Sequence, residues 1–64
     1  MNYGVEFTFK DGKKDWYDPI DKDKVREEMD NDDIGEAHIW VNVYDYWIDK
    51  DKVESYKFYE VGEE

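Results

Sequence analysis

No cysteine occurs in this chain, so neither a disulfide framework nor a cysteine-rich zinc site can hold it together. Histidine and serine each occur once, as His38 and Ser55. Those two could meet across strands, but no motif links them, and nucleophilic catalysis needs a base positioned on its nucleophile. No apolar run approaches the roughly 18–20 residues of a membrane span. Cationic side chains are scarce, with 9 Lys and Arg against 19 Asp and Glu, a net charge of −10. That balance argues against direct nucleic-acid binding and against docking on anionic lipid, since both need a cationic surface. Met1-Asn2-Tyr3-Gly4 leads straight into a strand pattern and not into a signal peptide. A soluble, cytoplasmic, non-enzymatic protein with no cofactor is expected. One calcium-loop candidate, Asp30 to Gly35, has acids at positions one and three and glycine at six. It fails at positions five and twelve, which are Ile34 and Val41, so no metal site is expected.

Aromatic residues are abundant: twelve in 64, or 19%. At roughly 150–250 Å² buried apiece, they can build a core for one small domain, residues 1–64, where aliphatic side chains are few. The densest apolar run is Ala37 to Ile48, AHIWVNVYDYWI. Both of its alternating faces carry large side chains. A domain this small cannot readily cover both, so a bulge near Val43–Asp45 is expected to bend the strand. That bend would turn Ile39, Val41 and Val43, then Tyr44, Tyr46 and Ile48, into one core. Trp40 and Trp47 are left over; twelve aromatics exceed what the core can hide, so several of Tyr17, Trp40, Trp47, Tyr56 and Tyr59 are expected to be at least partly exposed.

Residues 3–10 alternate, with Tyr3, Val5, Phe7 and Phe9 on one side. Asp11-Gly12 then predicts a two-residue hairpin turn that sets Thr8 against Asp15 and Phe7 against Trp16. Pro19 is expected to end the second strand. Residues 21–31 predict a helix capped by Asp21, with Val25 and Met29 as its apolar stripe. Lys24–Glu28 and Arg26–Asp30 have the i,i+4 spacing of helix ion pairs. Ile20-Asp-Lys-Asp-Lys-Val25 recurs identically as Ile48-Asp-Lys-Asp-Lys-Val53, with nothing matching on either side. Shared local use is expected: an Asp caps a turn, and the flanking Ile and Val anchor it. The first copy runs into REEM and a helix, the second into the strand pattern ESYKFYEV. The expected fold is α+β: a hairpin, a short helix, and a second hairpin whose first strand is long and bent. The alternative is an SH3-like small barrel.

The charge is uneven. Residues 15–36 hold ten acids against three bases, or −7, while residues 1–14 carry +1 and residues 37–64 carry −4. Asp21, Asp23, Glu27, Glu28, Asp30, Asp32, Asp33 and Glu36, with Trp40 and Trp47, are therefore the expected partner-contacting residues. Acids suit a cationic partner, and exposed tryptophans are common interface anchors. The partner class this implies is a basic, nucleic-acid-binding protein, blocked by imitation of its ligand's charge. A homodimer packed through the aromatics is the alternative.

The strand–Asp11-Gly12–xx–Asp15-Trp16-Tyr17-Asp18-Pro19 pattern resembles that of short bacteriophage and prophage proteins, as does the strand–turn–strand from Tyr46 to Tyr59. The resemblance implies a phage origin and assigns no activity. Small acidic phage proteins include stoichiometric inhibitors of host defence nucleases and polymerases, which makes a host enzyme or defence complex the implied partner.

Overall fold

The computed structural model describes residues 2–31 and 33–62; Asp32 of the expected site lies outside them, as do the final Glu63 and Glu64. The elements are β1 (Asn2–Phe9), β2 (Lys14–Ile20), α1 (Lys22–Asp30), β3 (Glu36–Val41), β4 (Tyr44–Asp49), a 3-10 turn (Lys50–Lys52) and β5 (Val53–Val61). The strands form two antiparallel sheets, one ordered β2–β1–β5 and one made of β3 and β4. The α+β class is as expected, but the second hairpin is not.

β1 alternates as its sequence requires: Val5 and Phe7 are fully buried in the core. Opposite them, Glu6 is also covered, held by Lys14 at 3.5 Å and Lys57 at 3.4 Å from the neighbouring strands. Two lysines on one carboxylate offset the cost of removing it from water.

The first hairpin forms, with its register one residue away from the expected pairing. Glu6 lies opposite Trp16 and Phe7 opposite Asp15. The loop has three residues: Gly12 N–H donates to Phe9 O at 2.9 Å, and Phe9 N–H donates to Lys13 O at 2.8 Å. Gly12 takes the left-handed position, φ 95°, of a turn closed by a bulge. Asp-Gly suits this turn as well as the two-residue one, so the pair alone cannot choose between them. The slip reverses every side chain of β2. Trp16 is consequently exposed, and Tyr17 replaces it against Phe7, edge-on at 5.9 Å.

Pro19 does not end β2. The strand runs on to Ile20 through an irregularity between Tyr17 and Ile20, and the Asp18–Pro19 peptide is cis. β2 is an edge strand, where a bulge tolerates proline. The extra residue re-phases the chain, so that both Tyr17 and Ile20 reach the core.

On the outer face of this sheet, the Tyr59 ring from β5 crosses Gly4 and its hydroxyl donates to Asp18 Oδ2 at 2.8 Å. A Cβ at Gly4 would meet Tyr59 Cζ and lie 2.6 Å from Oη. Burial, the bond to Asp18 and the Asp18 and Glu6 charges push the Tyr59 hydroxyl up to about 12. An unfolded tyrosine titrates near 10. The neutral hydroxyl therefore contributes stability in full below pH ~10 and loses it as pH rises towards the folded value. Gly4→Ala should expel the ring, lower stability by about 1–3 kcal/mol, and return Tyr59 towards ordinary tyrosine titration. Ultraviolet pH titration checks this; an unchanged Tyr59 titration would show that the ring does not depend on the gap at Gly4.

α1 starts where the capping signal places it, with Asp21 Oδ1 accepting from Asp23 N–H at 3.1 Å and Lys24 N–H at 3.3 Å. Val25 is buried, and Met29 packs at the edge of the core. The expected Lys24–Glu28 and Arg26–Asp30 pairs are not among the ion pairs of the described residues. Lys24 Nζ instead lies over the Trp40 ring at 5.2 Å, and Arg26 lies over Phe58 at 5.7 Å. Cation–π contact with a nearby ring competes well with an exposed helix ion pair, which is worth only a few tenths of a kcal/mol.

Ala37 to Ile48 is not one bent strand. It is itself a hairpin, β3 and β4 joined by Asn42-Val43, with Val41 opposite Tyr44. Asn42 supplies the left-handed residue, φ 57°. The two-residue turn sets Ala37, Ile39, Val41, Tyr44, Tyr46 and Ile48 on one face, where Ala37, Ile39 and Ile48 are buried and Val41 partly so, while Tyr44 and Tyr46, expected inside, stay exposed. Val43, expected inside, sits on the turn at 88% exposure. β5 consequently pairs with β1, from Asn2–Val61 to Phe9–Val53. Tyr56 and Phe58 of β5 pack against the core, and Tyr59 lies on the opposite face.

The core joins both sheets and the helix: Val5, Phe7 and Ile20, then Val25, then Ala37, Ile39 and Ile48. The repeated hexapeptide does the same local work twice. Asp21 and Asp49 each accept from the N–H two residues on, both at 3.1 Å. Ile20 and Ile48 are buried beside them, while Val25 is buried and Val53 partly so.

Candidate interaction surface

Nine helical residues with one apolar stripe leave most of α1 facing solvent. Asp23, Glu27 and Asp30, spaced i, i+4 and i+7, share a side of the helix and are exposed. The helix has three bases, and each lies on an aromatic ring. Lys22 Nζ is 4.7 Å from the Tyr3 ring, and Lys24 and Arg26 cover Trp40 and Phe58. Their aliphatic stems thus run along the body of the protein, and each cation keeps its charge over a ring. Among the described residues no helix carboxylate makes an ion pair, although Lys24 and Arg26 line the same open groove as Asp23, Glu27 and Asp30.

Two of the expected contact acids have structural duties. Asp21 is the cap. Glu28 is half-buried, and its Oε1 accepts from His38 N–H on the outer edge of β3 at 3.1 Å. That bond ties helix to hairpin. Glu28→Ala should leave a part-buried N–H unpaired and destabilise by about 1–3 kcal/mol, with Glu28→Gln restoring most of it. Amide exchange at His38 checks this: equal protection in the alanine variant would show that the bond contributes nothing.

The outer face of the β3–β4 hairpin carries three cross-strand pairs: Glu36–Asp49, His38–Trp47 and Trp40–Asp45. The His38 ring lies 3.9 Å from Trp40 and 4.3 Å from Trp47, nearly parallel to the latter at 11°. Its Nε2 is 3.4 Å from Asp45 Oδ1 and makes no hydrogen bond. Trp40 remains 41% exposed and Trp47 61% exposed, so the cluster is a platform rather than a closed cage. Trp40 also borders an open groove of about 670 Å³ with Asp21, Lys22, Asp23 and Tyr3.

The structure thus brings Asp21 and Asp23 beside Trp40 and continues the acids along α1 through Glu27 and Asp30. Asp33 is exposed on the loop, and Glu36 begins the hairpin platform. Tyr44 and Tyr46, expected in the core, are exposed on the same hairpin, and Asp45 and Asp49 lie on its outer face outside the expected contact set. The one local hint of this hairpin is Asn42, a residue type that tolerates the left-handed conformation, and strand formers surround it. Tyr46 packs on Tyr17 at 5.0 Å, and burial, with Asp15 and Tyr46 beside it, raises the Tyr17 hydroxyl above its usual range. His38 and Ser55 do not meet, since one lies on the hairpin and the other opposite Thr8 on the larger sheet. Among the described residues no three His, Asp or Glu side chains converge as a metal-binding set, and no helix is long and apolar enough to cross a membrane. No family model, curated protein or solved structure matches this chain.

Proposed function

We propose that this chain is a non-enzymatic binding protein that occupies the cationic, nucleic-acid-binding surface of another protein. The observation that carries the reading is the acidic side of α1, whose carboxylates make no ion pair among the described residues while the helix bases lie on aromatic rings. Nine helical residues span about 13.5 Å, a length over which one DNA strand presents about four phosphates. Asp23, Glu27 and Asp30, followed by Asp33, offer a comparable line of negative charge. The protein is 36 Å along its longest axis, and duplex of that length carries about 21 phosphates against a net −10 here. The resemblance is therefore to a strip of one strand and not to a whole duplex. Trp40 and Trp47 beside it supply the desolvated anchors that charge alone lacks. The phage-like pattern at residues 3–19 makes a bacterial host protein the first partner class to test.

Immobilised protein, incubated with bacterial lysate, should retain a basic protein that is released by moderate salt and displaced by duplex DNA. Retention indifferent to both would overturn the reading. Direct binding of the chain to DNA would overturn it equally.

A further inference from the structure

We propose that the free edge of β4 receives an extended basic segment of the partner as an added strand. This deepens the cationic-partner reading above and rests on it.

Among the described residues β4 pairs with β3 and with no other strand. In a two-residue hairpin the residues flanking the turn exchange hydrogen bonds, so Val41 and Tyr44 face each other and the alternation follows from there. Two observed bonds agree with it: Lys50 N–H turns inward to Gly35 O at 2.9 Å, and His38 N–H turns outward to Glu28. On β4 the outward groups are therefore those of Asp45, Trp47 and Asp49. Their N–H and C=O groups form a ready template for another strand.

The other sheet edges are defended. β2 is interrupted by its irregularity and Pro19. The outer edge of β3 is bonded to α1 through Glu28. Beside β5, Lys22 and Arg26 lie over Phe58 and would repel a basic segment. β4 has no proline, bulge or lysine, and its flank carries Tyr44 at 62% and Trp47 at 61% exposure.

Charge selects the occupant. Residues 36–49 contain Glu36, Asp45 and Asp49 and neither Lys nor Arg. All three acids lie on the outer face, so an added strand would set its outward side chains beside Asp45, Asp49 and Trp47. Lysine or arginine there gains both ion pairing and an indole face. A second copy of this chain would instead bring another −10 to the same edge.

The test titrates isotope-labelled full-length protein with a short peptide of alternating lysine and valine, and with the same peptide N-methylated on alternate amides. Strand addition predicts shifts concentrated at the amides of Asp45, Trp47 and Asp49. N-methylation should weaken binding by about ten-fold or more, the worth of one or two net hydrogen bonds. Equal binding of both peptides, with shifts along Asp23, Glu27 and Asp30, overturns strand addition and leaves the acidic reading standing. Binding of neither peptide overturns strand addition, while the cationic-partner reading is decided separately by salt and DNA competition. Shifts at β4 on concentrating the protein alone would make the occupant a second copy and overturn the proposal.

Discussion

Phe7→Ala should remove half or more of the stability of this protein. Phe7 is fully buried and packs against Phe9, Tyr17 and Tyr56, with ring centroids 6.5, 5.9 and 6.1 Å away. Truncating a buried phenylalanine costs about 3–5 kcal/mol through lost transfer energy and the cavity left behind. A domain of this length has about 3–10 kcal/mol in total. No disulfide supports it, and the three surrounding rings cannot close the gap without giving up their own contacts. Urea denaturation followed by circular dichroism checks the prediction. A midpoint equal to that of the parent would mean that Phe7 is not the centre of the core.

Ile39→Ala should have nearly as large an effect, about 2–5 kcal/mol, and its consequence is more diagnostic. Ile39 is fully buried on β3, yet the core it fills is shared with β1, β2 and α1. The two sheets are joined by side-chain packing rather than by a continuous ladder. If that packing is the joint, the variant unfolds as a whole, and β1 amides lose protection along with those of β3. Loss of the hairpin alone, with the β2–β1–β5 sheet intact, would show that the sheets are independently stable. The acidic helix depends on the outcome, because α1 is fastened to the hairpin by Glu28 and to the core by Val25.

These two residues also mark what could be read from the chain and what could not. Local signals were legible. Strict alternation around Phe7 identified β1, and the Asp caps at 21 and 49 identified a helix and a 3-10 turn. Where two local solutions shared one signature, the sequence could not choose. Asp11-Gly12 serves a two-residue turn and a three-residue loop alike, and the choice decided whether Trp16 or Tyr17 faced Phe7. The need to re-phase Ala37 to Ile48 was legible from its two apolar faces. The device was not, because Val41-Asn42-Val43-Tyr44 has no glycine or proline and is flanked by strand formers. Without the hairpin, nothing marks the pairing of β5 with β1, which is a long-range choice with no local signal.

How the expected contact residues are placed was legible in part for the same reason. Acidic composition marked residues 21–36, but composition could not separate Asp21 and Glu28, which hold the fold together, from Asp23, Glu27 and Asp30, which face water. Nor could it show that the nearby bases would lie on Tyr3, Trp40 and Phe58 instead of forming ion pairs with those acids. Trp40 and Trp47 were recognised as surplus to the core. Their stacking about His38, and the presence of Asp45 and Asp49 on the same face, followed only from the hairpin.

The measurement closest to the central claim compares the parent with the triple variant Asp23→Asn, Glu27→Gln, Asp30→Asn, leaving both structural acids in place. Affinity for the retained basic protein is titrated calorimetrically across a series of salt concentrations. The account predicts a flatter dependence on salt for the variant and a loss of about 10- to 100-fold at low salt, from three exposed charges at up to roughly 1 kcal/mol each. Equal affinities with equal salt slopes would contradict it.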